Sequence, residues 1–131
     1  MTATVYLDSS ALVKTVIREP ESPALRRFLR GFPLHASSAL ARAEVLRAVR
    51  RSDPLAVKGV HEVMERLLLV DVSESLLVEA GLLDPPELPT LDAIHLSAAK
   101  TLGADLAAIV TYDARMADAA LNLGLPLQTP S

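Results

Sequence analysis

The sequence contains no cysteine and no tryptophan, and aromatic residues make up only 3% of it. The lack of cysteine excludes disulfide bonds, thiolate nucleophiles and cysteine-ligated zinc sites. Because aromatic rings are scarce, any core must consist mainly of aliphatic side chains, and hydrophobic residues occupy 50% of the 131 positions. A chain of this length and apolar content predicts a single compact domain over residues 1–131.

Long hydrophobic runs are also missing. No stretch approaches the roughly 18 apolar residues that a membrane-spanning helix needs. The first residues, MTATVYLDSS, lack the basic segment and apolar run of a signal peptide. We therefore expect a cytoplasmic protein that makes no membrane contact.

An excess of positive charge is absent too, since 13 lysines and arginines stand against 16 aspartates and glutamates, for a net charge of −3. Proteins that bind nucleic acid through general electrostatics are usually basic. A nucleic-acid role would therefore depend on local basic patches and a bound cation. The surplus of carboxylates itself favours a metal site.

Short apolar runs alternate with helix-like segments along the chain. The runs are continuous rather than alternating, which is typical of buried strands in a parallel sheet covered on both faces. A proline-rich segment at 84–89 predicts a loop. We predict a doubly wound α/β domain with a mainly parallel sheet of four to five strands and helices on both faces. The expected strands are 4–7, 34–36, 67–72 (buried), 106–111 and a short 125–128.

Four acidic residues occupy positions of interest in this pattern. Asp8 and Asp113 follow the first and fourth predicted strands, and parallel sheets place their sites beyond the carboxyl ends of strands. Asp92 falls in the first turn of a predicted helix. Glu44 lies mid-helix among small and apolar neighbours at helical spacing, which favours an inward-pointing carboxylate.

Gathering such carboxylates requires a counter-charge, and an all-oxygen ligand set favours Mg²⁺ or Mn²⁺ over zinc. A metal of this kind activates water and stabilises charge on a phosphate, which suits phosphodiester hydrolysis. Aspartate is also a common helix N-cap. Spacing alone therefore leaves a structural role open for Asp8, Asp92 and Asp113.

Motifs around these acids resemble a known family. The segments YLDSSALVK (6–14), AEVL (43–46), LDAIHL (91–96) and TYDARM (111–116) resemble the signature blocks of PIN-domain proteins. They resemble in particular the VapC-type toxins of bacterial toxin–antitoxin modules. Order, spacing and length agree over essentially the whole chain.

The resemblance implies a Mg²⁺- or Mn²⁺-dependent endoribonuclease that acts on RNA. It also implies a VapB-like antitoxin partner that covers the site, and a homodimer. Asp8, Glu44, Asp92 and Asp113 match the acidic quartet of the family. Ser9 matches a position of small hydroxyl or amide residues that support a ligand or water.

Other residues near the blocks have supporting interpretations. Thr111 is expected to hydrogen-bond Asp113, and Arg115 and Lys14 are candidates for contacts with RNA phosphates. His95 shares a helix face with the quartet aspartate before it, and we interpret it as a packed structural residue. Pro89 and Thr90 precede Asp92 at a place where relatives often carry an arginine. The absence of that arginine removes a basic contact near the site.

Alternative functions fit less well. A non-catalytic RNA- or metal-binding module on a PIN-like fold would share the same residues. A phosphoacceptor receiver domain needs paired acids after its first strand, but serines follow Asp8, and the last lysine, Lys100, lies on a helix. A haloacid-dehalogenase-type phosphatase needs an Asp-x-Asp motif, and Ser10 occupies its second position.

Overall fold

The structure is a computed structural model that describes residues 2–131. Its sheet has five strands, and every pairing between neighbours is parallel. The spatial order is β3-β2-β1-β4-β5. The strands are β1 (Thr4–Leu7), β2 (Leu34–Ser38), β3 (Leu68–Val70), β4 (Leu106–Val110) and β5 (Leu127–Gln128).

Seven α-helices connect and follow these strands within the described residues. Their bounds are α1 (Ser9–Val16), α2 (Ser22–Leu29), α3 (Ala41–Ser52), α4 (Val57–Glu65), α5 (Glu74–Gly81), α6 (Thr90–Lys100) and α7 (Ala114–Asn122).

The helices form two layers with the sheet between them. Successive side chains of a strand point to opposite faces, so Val5 and Leu7 enter one core while Tyr6 enters the other. Helices α1 to α4 pack on the first face and α5 to α7 on the second. The predicted α/β architecture, with a parallel sheet and helices on both faces, is confirmed.

The order of the strands creates a switch point beside β1. The chain first builds β2 and β3 outward on one side of β1, then crosses over and adds β4 and β5 on the other. Such a reversal leaves a crevice outside the carboxyl ends of the two central strands. The residues that follow β1 and β4 therefore meet at this crevice.

One predicted element differs from the structure. The run at 67–72 was expected to be a buried strand, but β3 has three residues and Leu68 is 50% exposed. It lies at the edge of the sheet, where one side has no partner strand. None of the helices between residues 2 and 131 is long and apolar enough to cross a membrane.

Candidate active site

Asp8 directly follows β1 and caps α1, and it is almost completely buried, at 3% exposure. One carboxylate oxygen accepts hydrogen bonds from Ser10 Oγ (2.6 Å) and from the backbone N–H of Ala11 (3.0 Å). The other accepts from Thr111 Oγ1 at 2.6 Å. Burial raises the pKa of Asp8, although the hydrogen bonds oppose that shift. The carboxylate is thus held in one orientation, and none of the ion pairs among residues 2–131 includes it.

Asp113 lies three residues after the end of β4 at Val110, where it caps α7. Its Oδ1 accepts from the backbone N–H groups of Arg115 (2.9 Å) and Met116 (3.1 Å). Its own N–H donates to the Thr111 hydroxyl at 3.1 Å. The expected contact between Thr111 and Asp113 therefore involves the backbone amide of Asp113, because the hydroxyl of Thr111 donates its hydrogen bond to Asp8.

Asp92 lies in the first turn of α6 and is partly buried. Burial raises the pKa of Asp92, and the negative charges of Asp113 and Asp8 raise it further. Asp8 and Asp113 are therefore close enough to Asp92 to disfavour its ionised form.

Glu44 lies on α3, and its side chain is 19% exposed. Its Oε1 accepts a hydrogen bond from Nε2 of His95 at 2.7 Å. His95 is on α6, three residues after Asp92. The structure thus connects Glu44 to the helix that carries one of the three aspartates. His95 is buried, but it is hydrogen-bonded to polar groups rather than packed only against apolar side chains.

The four carboxylates do not form a complete ligand cage. Within residues 2–131 no three acidic or histidine side chains converge to hold a metal ion. Mg²⁺ usually keeps several waters and binds directly to one or two carboxylates, so a spread set of oxygen donors is compatible with it. A divalent cation would also offset the burial that raises the pKa of Asp8, and the burial and repulsion that raise the pKa of Asp92. The residues present fit a hydrated Mg²⁺ or Mn²⁺ ion.

Ser10 is a supporting residue that the sequence reasoning missed. Ser9 was the expected supporting hydroxyl, yet the serine hydroxyl that donates to Asp8 belongs to Ser10. Ser10 Oγ also accepts from the backbone N–H of Tyr112 at 3.0 Å. The available signal was the capping role of Asp8, because the hydroxyl two residues after an N-cap is near the capping side chain.

Lys14, a predicted RNA contact, is engaged by acidic side chains. Its Nζ lies 2.8 Å from Glu21 and 3.4 Å from Glu19, and 4.7 Å from the ring centroid of Tyr112. Burial by itself would lower the pKa of Lys14, but the contacts with Glu21 and Glu19 outweigh burial and raise it. The structure therefore does not present Lys14 as an available cation.

Arg115, the other predicted RNA contact, is exposed in the first turn of α7. Its positive charge lowers the pKa of Asp92, but this effect is smaller than the upward effects of burial and of the charges of Asp113 and Asp8. It also lines a surface cleft of about 230 Å³ together with Leu88, Pro89 and Asn122. A cation is thus available beside the acidic cluster.

Comparisons with known proteins agree with this geometry. Residues 5–122 match the PIN domain family. Ribonuclease VapC46 of Mycobacterium tuberculosis is 52% identical over 129 residues, which cover 98% of this chain and 99% of that protein. Ribonuclease VapC35 of the same species is 39% identical over 130 residues, covering 96% of both chains.

Solved structures show the same fold at low sequence identity. Mycobacterium tuberculosis VapC20, described as a sarcin–ricin loop cleaving toxin, superposes with a TM-score of 0.77 at 14% identity, covering 96% of this chain and 99% of that one. VapBC2 from Rickettsia felis, bound to a DNA fragment from its promoter, gives a TM-score of 0.71 at 16% identity, covering 98% and 99%. The family match and the two curated relatives, which span nearly the whole chain, show that this protein belongs to the PIN-domain family and, within it, to the VapC-type ribonucleases.

Proposed function

We propose that this protein is a Mg²⁺- or Mn²⁺-dependent endoribonuclease, the toxin of a toxin–antitoxin pair. The observation that carries the proposal is the buried Asp8 carboxylate at the switch point, whose negative charge, together with that of Asp113, raises the pKa of Asp92. Close relatives named as ribonucleases over nearly the full chain support the choice of RNA as substrate.

In this proposal Asp8, Asp92 and Asp113 hold the cation directly or through water, and Glu44 completes the set or orients the attacking water. The bound cation supplies a water of lowered pKa and neutralises charge that develops on the scissile phosphate. The hydrogen bonds from Ser10 and Thr111 keep Asp8 oriented before substrate binds. Fixed ligand orientation matters because metal sites depend on the groups that hold their ligands.

A protein nucleophile is not needed for this chemistry, and the nearest hydroxyls are already engaged. Ser10 donates to Asp8 and accepts from the amide of Tyr112. Thr111 donates to Asp8 and accepts from the amide of Asp113. Their contacts support a positioning role and favour direct attack by water.

Arg115 is proposed to contact an RNA phosphate, because it is exposed and close to the acidic cluster. Lys14 is left out of this role because Glu19 and Glu21 already pair with it. The Pro-Thr pair before Asp92 leaves α6 without a basic residue in its first turn, which makes the arginine of α7 more important for binding.

A VapB-like antitoxin and a second copy of the chain are the proposed protein partners, in a cytoplasmic setting. Two solved structures of this fold are VapBC proteins, from Rickettsia felis and Haemophilus influenzae. Surface is available for such partners, since Leu77, Val78 and Leu82 of the α5 region are exposed. Sedimentation of the chain alone and with an antitoxin tests both assemblies.

The experiment that tests the enzymatic proposal compares Asp8→Asn with the wild-type chain on total RNA, with Mg²⁺ or with EDTA. We expect metal-stimulated cleavage by the wild type and a loss of at least about 100-fold in the variant. Asp71→Asn, at an exposed aspartate, is the matched control and should remain active. Full activity of Asp8→Asn would contradict the proposal, while metal binding without cleavage by the wild type would favour the non-catalytic module.

A further inference from the structure

The imidazole of His95 lies between residues from two other elements. Its side chain is 2% exposed. Its Nε2 lies 2.7 Å from Oε1 of Glu44 on α3, and its Nδ1 lies 2.7 Å from the hydroxyl of Tyr6 on β1. Both ring nitrogens are therefore engaged, and one of them contacts a member of the acidic quartet.

The direction of these hydrogen bonds follows from the chemistry of the two end groups. An ionised carboxylate only accepts, so Nε2 must carry a proton in order to bind Glu44. Nδ1 of a neutral imidazole is then bare and accepts from the Tyr6 hydroxyl. Tyr6 retains that proton because burial raises its pKa well above the ordinary value. In this arrangement both ring nitrogens have a hydrogen-bond partner.

We propose that His95 is a positioning residue for Glu44, and that the Tyr6 hydroxyl supports the ring tautomer on which this role depends by donating to Nδ1. The Nε2–H of His95 holds one carboxylate oxygen of Glu44. The second oxygen, which has no hydrogen-bond partner within residues 2–131, remains available to a water or a cation. This inference rests on the proposed ribonuclease function and adds a residue outside the acidic quartet to it.

The contact matters because it joins the two helical layers at the site. Helix α3 belongs to the first core, whereas α6 packs on the opposite face of the sheet. Without His95 the Glu44 side chain would sample several rotamers. With it, the position of Glu44 is set relative to Asp92, which lies one turn earlier on the helix that carries His95.

The first arm of the test needs neither metal nor RNA. Nitrogen-15 correlation spectra of the histidine side chains in the metal-free chain report which ring nitrogen carries the proton. We expect a protonated Nε2 and a bare Nδ1 for His95, and we expect its signals to move in Glu44→Ala. The control Glu62→Ala, at an exposed position on α4, should leave them unchanged.

The second arm compares two substitutions of His95. His95→Gln retains an N–H donor near the position of Nε2, whereas His95→Met fills similar space without a donor. We expect His95→Met to lower Mn²⁺ affinity, measured by electron paramagnetic resonance, and kcat for RNA cleavage by about 10–100-fold, with KM nearly unchanged. His95→Gln should recover most of both losses. His61→Met on the exposed face of α4 is the control, and urea unfolding verifies that every variant is folded.

Three results would each overturn the inference: a bare Nε2 on His95, wild-type Mn²⁺ affinity and kcat in His95→Met, or a folded His95→Gln as impaired as His95→Met. A wild-type chain that neither binds Mn²⁺ nor cleaves RNA would instead refute the proposed function. In that case the tautomer of His95 would still decide whether it holds Glu44.

Discussion

At the scale of single residues, Asp8 is more than a helix cap. Capping α1 requires one carboxylate oxygen, and an exposed aspartate such as Asp53 performs the same task before the short 3-10 turn at Pro54–Ala56. Asp8 is instead buried, and its second oxygen accepts a hydrogen bond from Thr111, which directly follows the neighbouring strand β4. Burying a carboxylate is unfavourable unless donors or a cation compensate. Capping alone therefore does not explain the burial of Asp8, and the proposed metal site would account for it.

Asp92 shows the same conflict between stability and function. The N-terminus of α6 favours a negative charge in its first turn by about 0.3–1 kcal/mol. Burial and the charges of Asp113 and Asp8 act in the opposite direction, and their sum raises the pKa of Asp92. Repulsion and burial therefore act against the helix dipole at this position.

Asp92→Asn should consequently stabilise the metal-free chain while inactivating it. The substitution removes the repelled charge at nearly constant volume. We expect the melting temperature in EDTA at neutral pH to rise by about 1–3 °C, and RNA cleavage to fall by at least about 100-fold. Calorimetry and a cleavage assay measure the two effects, with Asp71→Asn as the control. A lower melting temperature would show that the helix dipole dominates and that the acidic cluster is not under strain.

At the scale of elements, Ser22 stabilises the turn between α1 and α2. Its buried hydroxyl accepts from the N–H of Glu19 at 2.9 Å and donates to the carbonyl of Lys14 at 2.7 Å. This turn also brings Glu19 and Glu21 to the Lys14 ammonium. Helix α1 begins directly after Asp8, so the orientation of this helix beside the site depends on the buried Ser22.

Ser22→Ala should destabilise the chain, because two backbone groups lose their partner inside the protein. We expect the free energy of unfolding to fall by about 1–3 kcal/mol, measured by urea titration. Ser52→Ala, at the exposed end of α3, should change it by less than about 0.5 kcal/mol. Equal effects of the two substitutions would contradict the role given to Ser22.

Sequence patterns predicted the elements well where apolar runs and breakers agree. The strand before Asp8, the proline-rich loop before α6 and the strand before Thr111 all lie close to their predicted positions. The edge position of β3 was not predictable, because a run of leucines looks the same in an edge strand and in a central one. Strand order, which depends on long-range pairing, decides between them.

The candidate site was predictable only in part, for a related reason. Asp8 and Asp113 follow strand ends, and parallel strands bring such ends to one edge. The contact between Glu44 and His95 joins residues 51 positions apart on opposite layers. No local pattern encodes such a distance, so the partner of Glu44 emerged only from the structure.

At the scale of the whole molecule, two apolar cores lie on either side of the sheet, and the polar site lies at its carboxyl edge between them. The pKa values of Asp8 and Asp92 are raised in the folded chain. Between the ordinary aspartate value and the raised values, the folded state binds more protons than the unfolded state. The free energy of unfolding of the metal-free chain therefore falls as pH rises through this window, and it stays lowered above it.

Mg²⁺ should restore the free energy of unfolding that the metal-free chain loses at neutral pH. It should have little effect in acid, where the carboxyl groups are protonated. At a concentration 100 times the dissociation constant, we expect a gain of about 2.7 kcal/mol in the free energy of unfolding. Urea titrations with Mg²⁺ and with EDTA, from about pH 4 to about pH 7.5, measure this gain. The same gain in Asp92→Asn, or a gain that is independent of pH, would mean that Mg²⁺ binds elsewhere.

The most direct test of the account is a crystal structure of the chain soaked in Mn²⁺, with anomalous diffraction used to locate the ion. We predict an anomalous peak in contact with the carboxylate, or the bound water, of Asp8 and at least one of Asp92 and Asp113. The electron density should place Oε1 of Glu44 within hydrogen-bond distance of Nε2 of His95. A peak elsewhere, or none beside Asp8 at a concentration that supports RNA cleavage, would contradict the central claim that these carboxylates form a metal site.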